Sequence, residues 1–454
     1  MKESRNAPVQ KNQELELSIE GLTNEGAGVG RLDGYALFVN GALPGERVRA
    51  HVIKVSGSYG VAKAVEILSP SKDRVAPRCP VFPQCGGCTL QHLSYPAQLA
   101  AKQQQVLDAL TRLGGFSQVP MEPICGMESP WRYRNKGSFP FDAAGSGAVF
   151  GFYAERSHRL IPFSDCPIQD ERIMDIARRV CAWANESGVS VYQEETHAGC
   201  LRHVMVRATG TGETMAVVVT NGPLRHGDAL VDTLSDVTSL WHNENSRDTN
   251  VIFGNSFTHL AGSETLTEEI GGNRFSVSPQ SFLQVNARQT QVLYGLAVDY
   301  LAPGPQQTVV DAYCGIGTIS LLLAGRCGKV TGIEQVPEAI ADAKKNAAAN
   351  GIQNASFLCG PVETVLPKLF ADQEKPGGLV LDPPRKGCDP AALTAIAEAK
   401  IPRVVYVSCN PATLSRDLSF LCSQGYTLQK VRPVDMFPHT SSVETCVLLS
   451  HKNS

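Results

Sequence analysis

The stretch Gln307–Gln335, QTVVDAYCGIGTISLLLAGRCGKVTGIEQ, decides the fold of the C-terminal part of the chain. It reads as an apolar strand, a glycine-containing turn, a helix and a second apolar strand. Strands and helices that alternate in this way predict a parallel sheet with helices on both faces. Two further strand-and-loop units extend the predicted sheet: GGLVLDPPRKG at 377–387 and RVVYVSCNPATLSRDLSFL at 403–421.

The turn Asp311–Gly317 has the features of a nucleotide-type cofactor site. Its glycines allow the backbone to approach a ligand closely, and Glu334 at the end of the next strand can accept hydrogen bonds from ribose hydroxyls. A turn that binds the pyrophosphate of a nicotinamide cofactor has a third glycine three positions after Gly317, where this chain has Ser320. The pattern therefore favours a smaller adenosyl cofactor without phosphates, with an ordinary α/β turn as the alternative.

Three polar motifs follow near the predicted carboxyl edge of this sheet, where open α/β sheets place ligands. They contain Asp382 in LDPPRK, Cys409 in VSCNP and Glu444 in FPHTSSVE. These groups suit a methylation at carbon 5 of uracil, because that carbon attacks a sulfonium methyl only after a thiolate has added to carbon 6. The motifs predict Cys409 as the nucleophile and Glu444 as the base that removes the C5 proton. Asp382 would support the polar edge of the ring.

Other interpretations of these motifs remain open from the residues alone. Cys314 and Cys388 flank the same predicted site, and a single cysteine after a strand is more often a small core residue. A non-catalytic RNA-binding or assembly protein is one alternative function. A methyltransferase that acts on a base amino group is another, since the DPPR motif also suggests it. Such an enzyme needs no nucleophilic thiol, so the importance of Cys409 separates the two reactions.

The N-terminal half of the chain shows a different organisation. Residues 10–70 alternate short apolar stretches with glycine-rich turns, which predicts a small OB-type β-barrel. Residues 71–92 are rich in cysteine, and 93–124 predict a connecting helix that packs on the C-terminal domain. A mixed α+β domain at 125–265 and a Rossmann-like domain at 266–454 complete the predicted organisation.

Composition limits the class of protein and its partners. The 454 residues exceed one ordinary core, and 43% hydrophobic with 19% charged residues is typical of a globular protein. No apolar segment is long enough for a membrane span, and the polar N-terminus lacks a secretion signal, so we expect a cytoplasmic location. The net charge of −3 argues weakly against a nucleic-acid partner.

A basic stretch inside this acidic chain nevertheless predicts contact with RNA. The segment Trp131–Arg159 holds more basic than acidic residues, with Arg132 and Arg134 close to Trp131 and Tyr133. Arginine charges grip phosphates, and aromatic or guanidinium planes stack on bases. The alternatives are a solvated charged face and two aromatic core residues.

The 14 cysteines are expected to be thiols or metal ligands rather than disulfides, because no secretion signal is present. Cys79, Cys85 and Cys88, together with Cys166 in FSDCPI, offer four thiolates. A tetrathiolate site holds either zinc or an iron–sulfur cluster, and ligand type alone leaves both open.

Four motifs in this order resemble the RNA uracil-5 methyltransferase family: DAYCGIGT at 311–318, DPPRKG at 382–387, SCNPATLSRDL at 408–418 and DMFPHTSSVET at 435–445. The resemblance extends over nearly the whole chain, and the N-terminal barrel is similar to the TRAM domain, an RNA-binding module. It implies a multidomain α/β protein. The parts would be a Rossmann-like class I S-adenosylmethionine-dependent methyltransferase domain, an N-terminal OB-type (TRAM) β-barrel and a mixed α+β central domain.

The resemblance also implies a substrate and the roles of individual residues. The ribosomal-RNA branch of the family often carries the TRAM domain with an iron–sulfur cluster, and the tRNA branch typically lacks both, which favours 23S rRNA. Cys409 matches the family nucleophile and Glu444 the general base. The residues that match the S-adenosylmethionine pocket are Gln284, Tyr313, Glu334 and Asp382. The implied [4Fe-4S] ligands, with zinc as the alternative, are Cys79, Cys85, Cys88 and Cys166.

Three positions depart from the family pattern. Ser442 stands where a histidine is frequent, Pro361 where an acidic donor-binding residue is common, and Thr318 where some members have asparagine. A substrate-positioning role and an adenine contact are therefore not transferred to the first two. The sequence specifies no oligomeric state, and a monomer is assumed.

Overall fold

The structure, a computed structural model, describes residues 7–145, 147–372 and 375–452. The first six residues of the predicted polar N-terminus lie outside this part. The chain forms two compact units: Met1–Gln105 with Phe437–Ser442, and Val106–Met436 with Val443–Ser454. None of the helices within the described ranges combines the length and the apolarity needed to cross a membrane.

The first unit contains a closed β-barrel. Its strands are β1 (Glu14–Leu22), β2 (Gly28–Leu32), β3 (Tyr35–Asn40), β4 (Arg47–Val55) and β5 (Tyr59–Ser69). They pair in the order β1-β2-β3-β5-β4, and the parallel pair β3–β5 is part of the closure. Along β1, Leu17 and Ile19 are buried while Glu16 and Ser18 are exposed, as a strand with one apolar face requires. The predicted barrel is confirmed.

The helix α1 (Tyr95–Asp108) follows the cysteine-rich segment and continues as a π-helical turn over Ala109–Leu113. From Val106 onward the chain belongs to the second unit. Val106 and Leu110 are buried in the same apolar core as the C-terminal sheet, and Cys125 forms an isolated bridge with Val434.

A mixed α+β region opens the second unit. Its elements are β6 (Lys136–Ala144), β7 (Gly147–Tyr153), β8 (Leu160–Pro162), α2 (Glu171–Glu186), β9 (Leu201–Ala208), β10 (Thr214–Thr220), α3 (Gly227–Thr233), β11 (Ser239–Glu244) and β12 (Ser256–Gly262). The strands pair in the order β12-β11-β10-β9-β6-β7-β8. The Asp170 side chain caps α2 by accepting the Arg172 amide, and Ile173, Met174 and Trp183 of this helix are buried. The mixed α+β character of the central domain is confirmed.

The C-terminal region is a doubly wound sheet preceded by a hairpin. Its elements are β13 (Leu266–Ile270), β14 (Asn273–Val277), α4 (Ala287–Leu301), β15 (Thr308–Ala312), α5 (Thr318–Ala324), β16 (Lys329–Glu334), α6 (Pro337–Ala349), β17 (Ala355–Cys359), α7 (Val362–Asp372), β18 (Gly378–Leu381), α8 (Pro390–Ala399), β19 (Arg403–Ser408), α9 (Pro411–Ser423), β20 (Tyr426–Val434) and β21 (Glu444–His451). The strand order is β17-β16-β15-β18-β19-β21-β20.

This strand order determines where a ligand binds. The sequence neighbours β15 and β16 pair in parallel, while β18 pairs with the other edge of β15, so the strand order reverses there. Ligands of open α/β sheets bind at such a reversal, beside the carboxyl ends of the strands. The strand β21 runs antiparallel to β19 and pairs Thr445 with Ser408, which places its first residue, Glu444, next to the end of β19.

Candidate active site

The turn after β15 has a left-handed backbone conformation at three of its residues. Tyr313, Gly315 and Gly317 all have positive φ values, of 68°, 53° and 86°. Such a φ is unusual for a tyrosine and indicates a conformation that the surroundings enforce. At Gly317 a Cβ would also lie 3.3 Å from Ala343 and Phe357, so a side chain there is both strained and crowded.

Two carboxylates support this turn. Glu334, at the end of β16, accepts the Gly315 amide at 3.2 Å and the Val336 amide at 2.9 Å. Its oxygens keep acceptor capacity for the hydroxyls of a ribose. Asp311 is fully buried and accepts the Ser320 hydroxyl at 2.6 Å, and burial raises the pKa of Asp311 to about 7.

Cys409 lies between the end of β19 and the start of α9. The Asn410 side chain caps α9 by accepting the Ala412 amide at 3.1 Å. The Asn410 side-chain NH₂ group and the Thr413 hydroxyl both donate to the Arg385 carbonyl at 3.1 Å. The loop that carries the thiol is therefore fixed against the DPPRKG loop.

Three charged side chains lie near the Cys409 thiol. Burial raises the pKa of the thiol, and the Glu444 and Asp382 carboxylates raise it as well, whereas the Arg385 guanidinium lowers it. Glu444 is only 4% exposed, and burial together with Asp382 raises its pKa to about 8 against the opposing effect of Arg385. Burial and the neighbouring Asp311 raise the pKa of Asp382 to about 7. Acids whose pKa lies near neutrality are typical of proton transfer sites.

The structure separates the three thiols that spacing alone left open. Cys314 and Cys388 are 7% and 3% exposed. Burial raises the pKa of both, that of Cys388 to about 12. Cys409 is half-buried and has Arg385 nearby. Cys409 is thus the thiol of the three that a bound molecule can reach.

The loop that carries Gln284 is held by the central sheet. The Asn135 amide donates to the Val285 carbonyl at 2.8 Å, and the Asn135 side chain donates to the Gln284 carbonyl at 3.1 Å. Arg207, almost fully buried, donates to the Ser281 carbonyl at 2.9 Å. The sheet β6–β9 therefore sets the position of this loop.

The sequence analysis did not identify three further residues that lie at the site or in the loop of Gln284. Tyr294 on α4 hydrogen-bonds the Gln284 side chain, and its pKa is raised by burial and then by the nearby Asp382. Its spacing on the helix is that of an ordinary core residue, which carries no functional signal. Arg385 is part of the DPPRKG motif, but the motif alone does not indicate a role for its side chain. Phe282 lies in the same loop as Gln284 and is 75% exposed. An aromatic ring that is exposed in this way can stack on a bound base.

The cysteine-rich segment has features of a thiolate site. The Gly87 amide donates to the Cys85 sulfur at 3.4 Å, and the Gln91 side chain donates to the Cys88 sulfur at 3.3 Å. Gln91 also accepts the Cys79 amide at 3.1 Å. Hydrogen bonds to sulfur are common around iron–sulfur clusters. No group of three or more His, Cys, Asp or Glu side chains among the described residues is arranged to hold a metal ion.

The basic stretch around Arg132 braces the loop of Cys166. Arg132 forms a two-pronged ion pair with Asp165, with both contacts at 2.8 Å, and donates to the Cys166 carbonyl at 2.8 Å. Tyr133 is 7% exposed and is a core residue. Trp131 is half-buried. Charge reversal at Arg132 would therefore break this loop as well as remove a positive charge.

Comparisons with known proteins agree with this architecture. Residues 8–65 match the TRAM domain, 304–376 match a methyltransferase domain, and 371–452 match tRNA (uracil-5-)-methyltransferase. An uncharacterized RNA methyltransferase of Halalkalibacterium halodurans is 49% identical, covering 98% of this chain and 99% of its own. One from Bacillus cereus is 46% identical, with 98% of both chains covered.

A solved structure matches over almost the same length. It is the tRNA (uracil-54, C5)-methyltransferase of Pyrococcus abyssi in complex with S-adenosyl-L-homocysteine, with a TM-score of 0.79 and 25% identity. The match covers 96% of this chain and all of the Pyrococcus chain. The overall architecture is therefore shared with an enzyme that acts on tRNA.

The strand order, the glycine turn and the carboxylate at the end of β16 define an S-adenosylmethionine-dependent methyltransferase, which here acts on RNA. Within that class, the chain belongs to the RNA uracil-5 methyltransferase family and carries an N-terminal TRAM domain.

Proposed function

We propose that the protein methylates carbon 5 of a uridine in 23S ribosomal RNA through a covalent intermediate on Cys409. The observation that carries the proposal is the grouping of one reachable thiol with Asp382, Arg385 and Glu444 beside the glycine turn. A base-amino methyltransferase would need the turn and the DPPR loop but not a thiol with a carboxyl group beside it.

The proposed reaction has three steps. The Cys409 thiolate adds to carbon 6 of the uracil, which turns the ring into an enolate. Carbon 5 then attacks the methyl group of S-adenosylmethionine and S-adenosylhomocysteine leaves. Glu444 removes the proton from carbon 5, and the electron pair of that bond re-forms the ring double bond as the sulfur departs. Asp382 hydrogen-bonds the polar edge of the ring, and Arg385 favours the thiolate.

We assign the methyl donor to the pocket lined by Gln284, Tyr313, Glu334 and Asp382. Glu334 and the glycine turn would hold the adenosine part, since the carboxylate already contacts the turn and can accept ribose hydroxyls. Gln284 hydrogen-bonds Tyr294, whose pKa is raised by burial and then by the nearby Asp382 and Glu444 carboxylates, which supports a pocket that continues from Gln284 toward those two acids.

Glu334→Ala should weaken donor binding by about ten- to a hundredfold, which corresponds to the loss of hydrogen bonds to a charged group. The Kd for S-adenosylmethionine, measured by calorimetry without RNA, checks this. Glu338→Ala is the matched control, because Glu338 is an exposed acid at the start of the next helix. An unchanged Kd for Glu334→Ala would remove Glu334 from the pocket.

The two chemical halves of the reaction should differ in their pH dependence. Glu444 acts as a base only when ionised, and its pKa is raised to about 8, so elimination of the adduct should accelerate as the pH rises through about 8. Adduct formation depends on the Cys409 thiolate, whose pKa is raised above that of an ordinary thiol, so it should rise at higher pH. Both rates are measured in single-turnover reactions that are quenched at successive times. The amount of covalent adduct at each time is then read from a denaturing gel. An elimination rate that is flat between pH 6 and 9 would contradict the role of Glu444.

We assign a [4Fe-4S] cluster in a structural role to Cys79, Cys85, Cys88 and Cys166, with zinc as the alternative. The supporting observations are the two hydrogen bonds to sulfur and the Gln91 side chain that joins Cys79 to Cys88. Such a cluster would take part in no step of methyl transfer and would brace the RNA-binding surface. Iron and sulfide analysis of protein purified without oxygen decides between cluster and zinc, and RNA-binding assays on cluster-free protein decide the role.

RNA recognition is assigned to the TRAM barrel and to residues 125–265, with the enzyme acting in the cytoplasm as a monomer. A uracil in folded RNA must be flipped out before carbon 6 is accessible. The experiment that tests the substrate is incubation with labelled donor and total RNA from a strain that lacks the protein, followed by mapping of the methylated nucleotide. A single labelled uridine in 23S rRNA supports the proposal, and label confined to tRNA overturns that substrate.

A further inference from the structure

The segment Phe437–Ser442 belongs to the first unit, although Met436 and Val443 on either side of it belong to the second. Glu444, the proposed general base, follows this segment after a single intervening residue. The start of β21 is therefore tethered to a segment that the N-terminal unit holds.

Backbone groups next to the cysteine-rich segment bind the middle of this segment. The His439 carbonyl accepts the amides of Thr89 and Leu90, at 3.0 and 2.9 Å, directly after Cys88. His439 is 3% exposed and has a φ of 67°, a left-handed conformation that a non-glycine residue keeps only when its surroundings enforce it.

Two side chains of α1 complete the contact. Gln98 is fully buried, and its oxygen accepts the His439 amide at 2.9 Å. Its nitrogen donates to the carbonyls of Leu90 and Leu93, at 3.0 and 2.8 Å. Lys102, 1% exposed, donates to the Phe437 carbonyl at 2.9 Å. One buried amide thus joins the helix, the residues after Cys88 and the segment before Glu444.

These bonds cannot be exchanged for bonds to water without opening the core. Removing the Gln98 amide would take away the acceptor for the His439 amide and a donor for two buried carbonyls, and buried polar groups without partners are costly. We therefore expect removal of the Gln98 amide to shift the segment Phe437–Ser442. Every residue that takes part in the proposed chemistry would still be present.

We propose that Gln98 and Lys102 are positioning residues that set the placement of the general base. This inference rests on the proposed function, because it assigns Gln98 and Lys102 to the step in which Glu444 takes the C5 proton. Cys409 and the proposed donor pocket lie on other loops, so a shift of Glu444 should affect the step in which it takes the proton more than donor binding or covalent addition.

The test separates the steps of the reaction in the full-length protein. In Gln98→Ala, the covalent protein–RNA adduct formed with a uridine substrate and S-adenosylmethionine should decay about ten- to a hundredfold more slowly than in the wild type, the cost of a misplaced catalytic group. The Kd for S-adenosylmethionine should stay as in the wild type, and the rate of adduct formation should change much less than the rate of decay. Gln104→Ala, an exposed glutamine on the same helix, is the matched control and should decay normally.

A second variant keeps the proposal testable if Gln98→Ala does not fold. Lys102→Met retains the apolar stem and removes the bond to the Phe437 carbonyl, so the same slow decay is expected to a smaller degree. Normal decay in both variants, or in Lys102→Met if Gln98→Ala cannot be purified folded, overturns the proposal, as does an equal loss of adduct formation and decay. If the wild type itself forms no adduct with 5-fluorouridine RNA, the proposed function fails and not this inference.

Discussion

Cys409→Ala should lower methyl transfer to RNA by at least about 10⁴-fold while the Kd for S-adenosylmethionine stays at the wild-type value. Carbon 5 of uracil is a poor nucleophile until sulfur has added to carbon 6, so without the thiol the reaction lacks its first step. The glycine turn, Glu334 and the Gln284 loop, which we propose bind the donor, do not carry this thiol. Transfer of a labelled methyl group from S-adenosylmethionine to RNA and donor calorimetry measure the two quantities separately.

The chain offers a control thiol for this variant. Cys422 is also half-buried, but it lies at the far end of α9, about 16 Å along the helix from its start. Cys422→Ala should therefore retain activity. Substantial methylation by Cys409→Ala would favour the base-amino reaction, and loss of donor binding in the same variant would indicate damage to the fold.

Glu444→Gln should reduce turnover by about 10²- to 10⁴-fold and, unlike the cysteine variant, should accumulate a covalent adduct with ordinary uridine RNA. The glutamine cannot remove the C5 proton, so the reaction stops after methyl transfer with Cys409 still bonded to carbon 6. The adduct is visible as a slower band on a denaturing gel, and its mass should include the transferred methyl group.

Glu444→Gln should also leave the fold intact. Burial favours the neutral form of Glu444, so in the wild type the stability that this group contributes is present below a pH of about 4.5 and is lost as the pH rises through about 8. A neutral amide avoids that loss, and the Tm of the variant above pH 8 should not be lower than that of the wild type. Glu398→Gln, an exposed acid on α8, is the control and should turn over normally. A variant that folds but leaves no adduct would contradict the role of Glu444.

Local sequence patterns indicated several residues of the candidate site because each of them lies next to one end of an apolar strand. Gly315 and Gly317 adopt the positive φ that the turn requires, and Glu334 accepts an amide from that same turn. Cys409 and Glu444 come together because β21 runs antiparallel to β19, so that the end of one strand meets the start of the other.

The parts that sequence reasoning missed depend on contacts between distant residues. No local pattern indicates that Arg132 pairs with Asp165, 33 positions away. Tyr294 has the spacing of a core residue on α4, and only the fold reveals the carboxyl groups beside it. Likewise, no local pattern indicates that Gln98 binds His439, because 341 residues separate them.

The central claim is a reversible bond between one sulfur atom and the pyrimidine ring, and 5-fluorouridine in the RNA tests it directly. Fluorine at carbon 5 leaves no proton for Glu444 to remove, so the adduct should persist after methyl transfer. The measurement is mass spectrometry of the digested complex formed with S-adenosylmethionine. We predict a single modified peptide in which Cys409 carries a methylated fluorouridine nucleotide. An active enzyme that yields no such peptide, or a nucleotide attached at another residue, would contradict the account.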